Sequence, residues 1–145
     1  MTPPQTAPQN AKAMRLIQLA LTLGLSLMAV VFFILRRLGQ VPAIEIPRVA
    51  GIALTIASIS TLVVALTVVR PRVQPQAPEQ TADMYWGDAT VRMTVVMLWA
   101  GVEGAGLMGA LGYLLTGALA PGIALVMAIL TLASMRPSRF ERDEG

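Results

Sequence analysis

Long apolar runs punctuated by arginine leave this chain few choices of fold. Leu16–Leu35 contains no charged residue and extends about 30 Å as an α-helix, the thickness of a bilayer's hydrocarbon core. Val49–Val69 repeats the pattern, and further runs extend from about Thr90 to Leu115 and from about Leu119 to Met135. Inside hydrocarbon a backbone must satisfy its own N–H and C=O groups, so such runs become helices. The expected fold class is all-α: a polytopic membrane protein with four transmembrane helices arranged as two hairpins.

Composition points the same way. The chain is 55% hydrophobic and 13% charged, whereas a soluble domain carries roughly a quarter of its residues as charges. The net charge is only +3, and the arginines sit singly or in pairs at the ends of apolar runs. That placement reads as topology signal, with the lipid bilayer as partner and no nucleic acid. Cysteine and histidine are both absent. This excludes disulfides, thiolate or imidazole metal sites, a histidine haem ligand and histidine acid–base chemistry. No catalytic residue, metal or cofactor is expected, and the chain reads as a non-enzyme.

Five segments follow. Residues 1–13 read as a disordered polar tail, 14–70 as the first transmembrane hairpin and 71–88 as a proline-rich linker. Residues 89–136 read as the second hairpin and 137–145 as a charged tail. The first run reads as a span and not a cleaved leader, because its apolar core is too long and further spans follow. Pro47 suits the first turn of the second helix, after a loop with Gly39, Pro42 and Glu45. In the linker, Tyr85 and Trp86 read as an interfacial anchor. The turn from Thr116 to Gly122 is uncharged and reads as a tight hairpin at the membrane surface. Arg15 and Gly24 share their spacing with Arg92 and Gly101, and Arg-Pro closes each half at Arg70-Pro71 and Arg136-Pro137. This is a faint internal repeat consistent with duplication or with ordinary helix punctuation.

Four spans place both termini and the linker on one side, together with Lys12, Arg15, Arg70, Arg72, Arg92, Arg136, Arg139 and Arg142. Arg36, Arg37 and Arg48 fall on the other side. The positive-inside rule then puts both termini in the cytoplasm, in a membrane expected to be the bacterial inner membrane.

Glu103 is the one charged side chain deep within a run, about 16 Å of helix beyond Arg92. An ionised carboxylate at that depth costs several kcal/mol unless it is paired or wetted, and no lysine or arginine lies at the same level. It is either a neutral carboxyl donating a hydrogen bond or a proton or cation site facing a wet or partner-lined cavity. Trp99, Glu103, Gly106, Ala110 and Tyr113 share one side of the third helix. Gly101, Ala105, Gly109 and Gly112 form a nearly opposite ridge of small residues, the pattern that lets helices pack closely. Leu107, Leu111 and Leu115 fall between and read as lipid-facing. Candidate neighbours of Glu103 are Trp99, Tyr113, Ser58 and Thr61, with Ser60 and Ser26 at similar depth.

The stretch from Trp99 to Gly117 (WAGVEGAGLMGALGYLLTG) resembles a pattern in uncharacterised small bacterial four-helix membrane proteins, with a mid-helix glutamate, glycine six residues later and a Leu-Thr-Gly turn. It also resembles the carboxylate helix of rotary ATP synthase proteolipids (subunit c). That likeness implies Glu103 as the ion site and Gly109 as a packing position. It places Glu103 on the first helix of its hairpin, whereas the proteolipids carry theirs on the second. The expected function is an accessory or assembly subunit of a membrane complex, in a homo- or hetero-oligomer. The alternative is a proton- or cation-coupled carrier or ring-forming protein using Glu103.

Overall fold

A computed structural model describes residues 9–41 and 48–141. Expectations that fall on the first eight residues, on Pro42, Glu45 and Pro47, and on Arg142 lie outside the described residues. So does the side chain of Arg48.

Among the described residues the chain is all-α: α1 (Asn10–Arg37), α2 (Arg48–Val64), α3 (Ala82–Gly87), α4 (Ala89–Thr116) and α5 (Leu119–Ser134). α2 continues through a π-helical turn at Ala65–Val69 and a 3-10 turn at Arg70–Arg72. Three helical stretches, Asn10–Arg37, Val49–Arg72 and Ala89–Thr116, are long and apolar enough to cross a membrane. α5 has 16 residues, about 24 Å, so its length alone does not make it a span.

Hydroxyls within these apolar helices are mostly satisfied locally. Thr22, Ser26, Thr55, Thr67, Thr94 and Thr116 each donate to the carbonyl four residues earlier. Ser58 is different: it is buried and donates across to the carbonyl of Ala105 on α4 at 2.7 Å.

α4 is the hub, in contact with α1, α2 and α5. Its small residues set the spacing. A Cβ added at Gly109 would lie 2.8 Å from the backbone nitrogen of Leu125 and 2.9 Å from the carbonyl oxygen of Pro121. Gly112 meets Pro121 and Leu54, Gly106 meets Leu25 and Ala128, and Gly101 meets Ala65. Followed in order, these contacts make α2 and α5 antiparallel to α4. Between helices in lipid, hydrophobic driving force is weak and dispersion from close approach dominates, which is what such a ridge supplies.

The halves do not pack alike. α4 and α5 form a close antiparallel pair, but among the described residues no part of α1 comes within 8 Å of α2, Cα to Cα. The hairpin read from residues 14–70 is therefore a pair of connected helices on opposite flanks of α4. Gly24 faces open space while Gly101, at the same repeat position, is packed on Ala65.

At one end, the uncharged turn after α4 borrows a cation. Gly117 adopts φ +66 and its N–H bonds the carbonyl of Tyr113, a left-handed helix stop. The Arg36 guanidinium lies over Gly117 and donates to the carbonyl of Leu114. A positive group at a helix C-terminus also meets the favourable end of the helix dipole.

The other end is closed by the linker, which folds into α3 and packs beneath the helices. Thr81 caps α3 and Asp88 caps α4. Asp83 accepts from the N–H of Ala11, so α1 starts at Asn10, inside the stretch read as tail. Tyr85 and Trp86 are 2% and 0% exposed, which corrects their reading as an interfacial anchor. Both rings leave water because their polar tips find partners: Tyr85 Oη donates to the carbonyl of Gln74, and Trp86 Nε1 to Glu141 Oε1. Trp86 packs edge-on against Tyr85 and Phe140, and Glu141 also pairs with Arg15 at 2.8 Å.

Two predictions follow from this packing. Gly109→Ala forces backbone apart and lowers stability by about 1–3 kcal/mol in detergent unfolding, whereas Gly104→Ala, whose Cβ meets nothing within 4 Å, is neutral or stabilising by up to ~1 kcal/mol. Burial, and then the Glu141 carboxylate, push the Tyr85 phenol above its ordinary 10.0. The folded state therefore holds this proton more tightly than the unfolded chain. Its contribution is full below 10.0 and is lost as pH rises through the higher folded value. Unfolding followed against pH should show that alkaline loss in the wild type and a smaller one in Tyr85→Phe.

Candidate functional site

Glu103 stands at the midpoint of the 28-residue α4, about 20 Å from either end. The deeply buried side of the helix carries Val95, Leu98, Val102 and Ala105. Met93, Val96, Met97, Ala100 and Leu111 form an exposed stripe on the other side, between the flanks held by α1 and α2. Gly104 also opens to free space, and Glu103 lies half-buried at the edge of this stripe. Among the described residues its carboxylate has no hydrogen-bond or ion-pair partner.

The candidate neighbours are not gathered round it. Ser58 bonds Ala105, which at 3.6 residues per turn lies almost opposite Glu103 on α4. Ser26 bonds Thr22 on its own helix. Thr61 is half-buried, and neither its hydroxyl nor that of Tyr113 makes a hydrogen bond among the described residues. Trp99, one turn before Glu103, is fully buried and gives its ring N–H to the carbonyl of Met135 at 3.2 Å. That bond satisfies a carbonyl freed as α5 ends before Pro137. Tyr113 lies about 15 Å beyond Glu103 along the axis, with its ring against Gly122. Leu111 is exposed, whereas Leu107 is half-buried against the core.

The ridge of Gly101, Ala105, Gly109 and Gly112 is occupied within the chain by α2 and α5. The carboxylate is thus displayed on the side of α4 away from the closest packing. What it can do chemically follows from that placement: exchange a proton, or pair with a donor brought by another molecule.

Gln18 was not among the candidates. It is buried and donates to the carbonyl of Leu132 at 2.9 Å, tying α1 to the end of α5. The available signal was an amide inside an otherwise apolar run.

Comparison with known proteins adds nothing to this geometry. No family model, curated protein or solved structure matches the chain.

The site makes one direct prediction. A membrane-soluble carbodiimide should label Glu103 in the wild type, and Glu103→Gln should abolish that labelling. Ser58→Ala should leave its rate unchanged while lowering stability by about 0.5–1.5 kcal/mol, as read by mass spectrometry of the modified chain and by detergent unfolding.

Proposed function

We propose that this chain is a four-span integral membrane protein that acts as a non-enzymatic assembly subunit, its α4 stripe receiving a transmembrane helix of a partner subunit. The observation that carries this reading is a half-buried Glu103, without a partner among the described residues, beside an exposed stripe at the middle of the most packed helix. In lipid, a carboxylate left facing hydrocarbon costs several kcal/mol, so a donor at the same depth on another helix stabilises it. Ala100 and the open Gly104, one turn apart, let that helix approach closely.

The fourth span is α5, supported by its antiparallel run along α4 from the level of Gly112 to that of Trp99. That range is centred close to Glu103, so a membrane enclosing α4 encloses α5 as well. Charge counting supports placing the cap and both termini in the cytoplasm of a bacterial inner membrane.

A second reading, a proton- or cation-coupled carrier, rests on the same free carboxylate. One pair of measurements separates them. Under assembly, native mass spectrometry after mild extraction shows a discrete oligomer that Glu103→Leu disrupts; a strictly monomeric wild type sinks this reading. Under transport, wild-type proteoliposomes conduct protons or cations and Glu103→Gln does not; equal absence of flux in both removes the carrier reading.

A further inference from the structure

At the capped end, α1 and the chain leaving α5 stand apart around a cavity of about 480 Å³. α1 lines it with Arg15, Gln18, Leu19 and Thr22, positions i, i+3, i+4 and i+7 that share one helix face. The opposite wall includes Arg136 and Ser138, just beyond the end of α5. The two walls are tied together by the Gln18 bond to Leu132 and by the Arg15–Glu141 pair.

The polar groups round this cavity are unequally committed. Arg15 shares its charge with Glu141, which is also held by Trp86. Arg136 is exposed, and its guanidinium has no partner among the described residues; nor has the hydroxyl of Ser138. Gln18 directs its amide nitrogen to Thr22 and Leu132, which uses both hydrogens. Its carbonyl oxygen accepts nothing among the described residues. The cavity therefore presents a free planar cation, a second cation partly neutralised, a hydroxyl and an amide acceptor. Leu19 lines the same space and adjoins the exposed Leu16 and Leu23 along α1.

We propose that this cavity binds the headgroup of an anionic glycerophospholipid. The Arg136 guanidinium matches two phosphate oxygens in a paired, charge-assisted geometry. Ser138 donates to a remaining lone pair of one of these oxygens, and Arg15 contributes through the N–H groups that do not face Glu141. A glycerol hydroxyl of the headgroup donates to the Gln18 carbonyl oxygen. The acyl chains run along the strip of Leu16, Leu19 and Leu23. The apolar strip favours lipid over free phosphate, since basic pockets between membrane helices at the cytoplasmic surface take such headgroups, and a free anion gains nothing from leucine. The inference rests on the membrane reading, which places the cavity at the bilayer surface; it does not depend on Glu103 or on a partner subunit.

The test uses the full chain in neutral detergent, with phosphatidylglycerol or phosphatidylcholine added and bound lipid read by native mass spectrometry. Recovery of the chain in carbonate-washed membranes tests the membrane reading separately. The wild type should retain one phosphatidylglycerol in preference to phosphatidylcholine. Arg136→Gln should weaken that retention by roughly tenfold or more, with an unchanged unfolding temperature. Arg139→Gln, at the same end but outside the cavity lining, should retain lipid as the wild type does. Equal losses in Arg136→Gln and Arg139→Gln would reduce the effect to diffuse charge and overturn the site. Equal retention of the two lipids, or displacement of phosphatidylglycerol by an equal concentration of inorganic phosphate, would overturn the lipid assignment.

Discussion

The approach of α4 to α5 at Gly109 governs much of what surrounds it. With backbone atoms of Leu125 and Pro121 within 2.9 Å of where a Cβ would stand, the two helices are closer than a side chain at this position would allow. Every neighbour then takes its position from that pair. Trp99 reaches the carbonyl of Met135, just beyond α5, because the helices are already in register. Gly106 leaves a seat for Leu25, the most deeply buried of the contacts that α1 makes in its middle, beside Leu21, Met28 and Ala29. On the adjacent side of α4, Ser58 replaces a van der Waals contact with a hydrogen bond to a main-chain carbonyl, so α2 is fixed both along and around the helix. Where hydrophobic burial gives helices no reason to associate, a few small residues and two or three polar contacts decide the arrangement.

Much of this is legible in the amino-acid sequence. Run lengths, the tight turn after Thr116 and the small-residue ridge on α4 follow from local chemistry, because helices and close packing are encoded by residues near one another in sequence. The relation of α1 to α2 is not. A short connection suggests a hairpin, but α4 offers both flanks a better surface than they offer each other, and a competition of that kind leaves no mark in either run. The cap was obscured for a different reason. Spaced prolines and a Tyr-Trp pair look like a linker and an anchor until Glu141, far away in sequence, supplies the acceptor that lets Trp86 leave water.

The same distinction applies to the site. Glu103 was visible as a lone charge in an apolar run, and its depth followed from counting. Its surroundings could not be counted. Hydroxyls at similar depth looked like partners, but depth fixes only one of two coordinates, and the azimuth of Ser58 puts it against the far side of α4. The uncommitted Arg136 escaped for the complementary reason. An arginine closing a helix is ordinary punctuation, and only the folded chain shows that Arg15, Gln18 and Ser138 share its cavity.

Arg36 over Gly117 has a mechanical consequence. α1 is fastened at its far end by that guanidinium and at its near end by Arg15, Gln18 and the N–H of Ala11, with apolar contacts between from Leu21, Leu25, Met28, Ala29 and Phe32. It is a beam pinned at both supports. Sliding it by one turn breaks every fastening together, whereas bowing its middle breaks none of these polar ties and loosens only apolar contacts. Axial position is therefore the rigid coordinate of this helix and lateral displacement the soft one, and the soft coordinate lies beside the edge of α4 on which the free carboxylate stands.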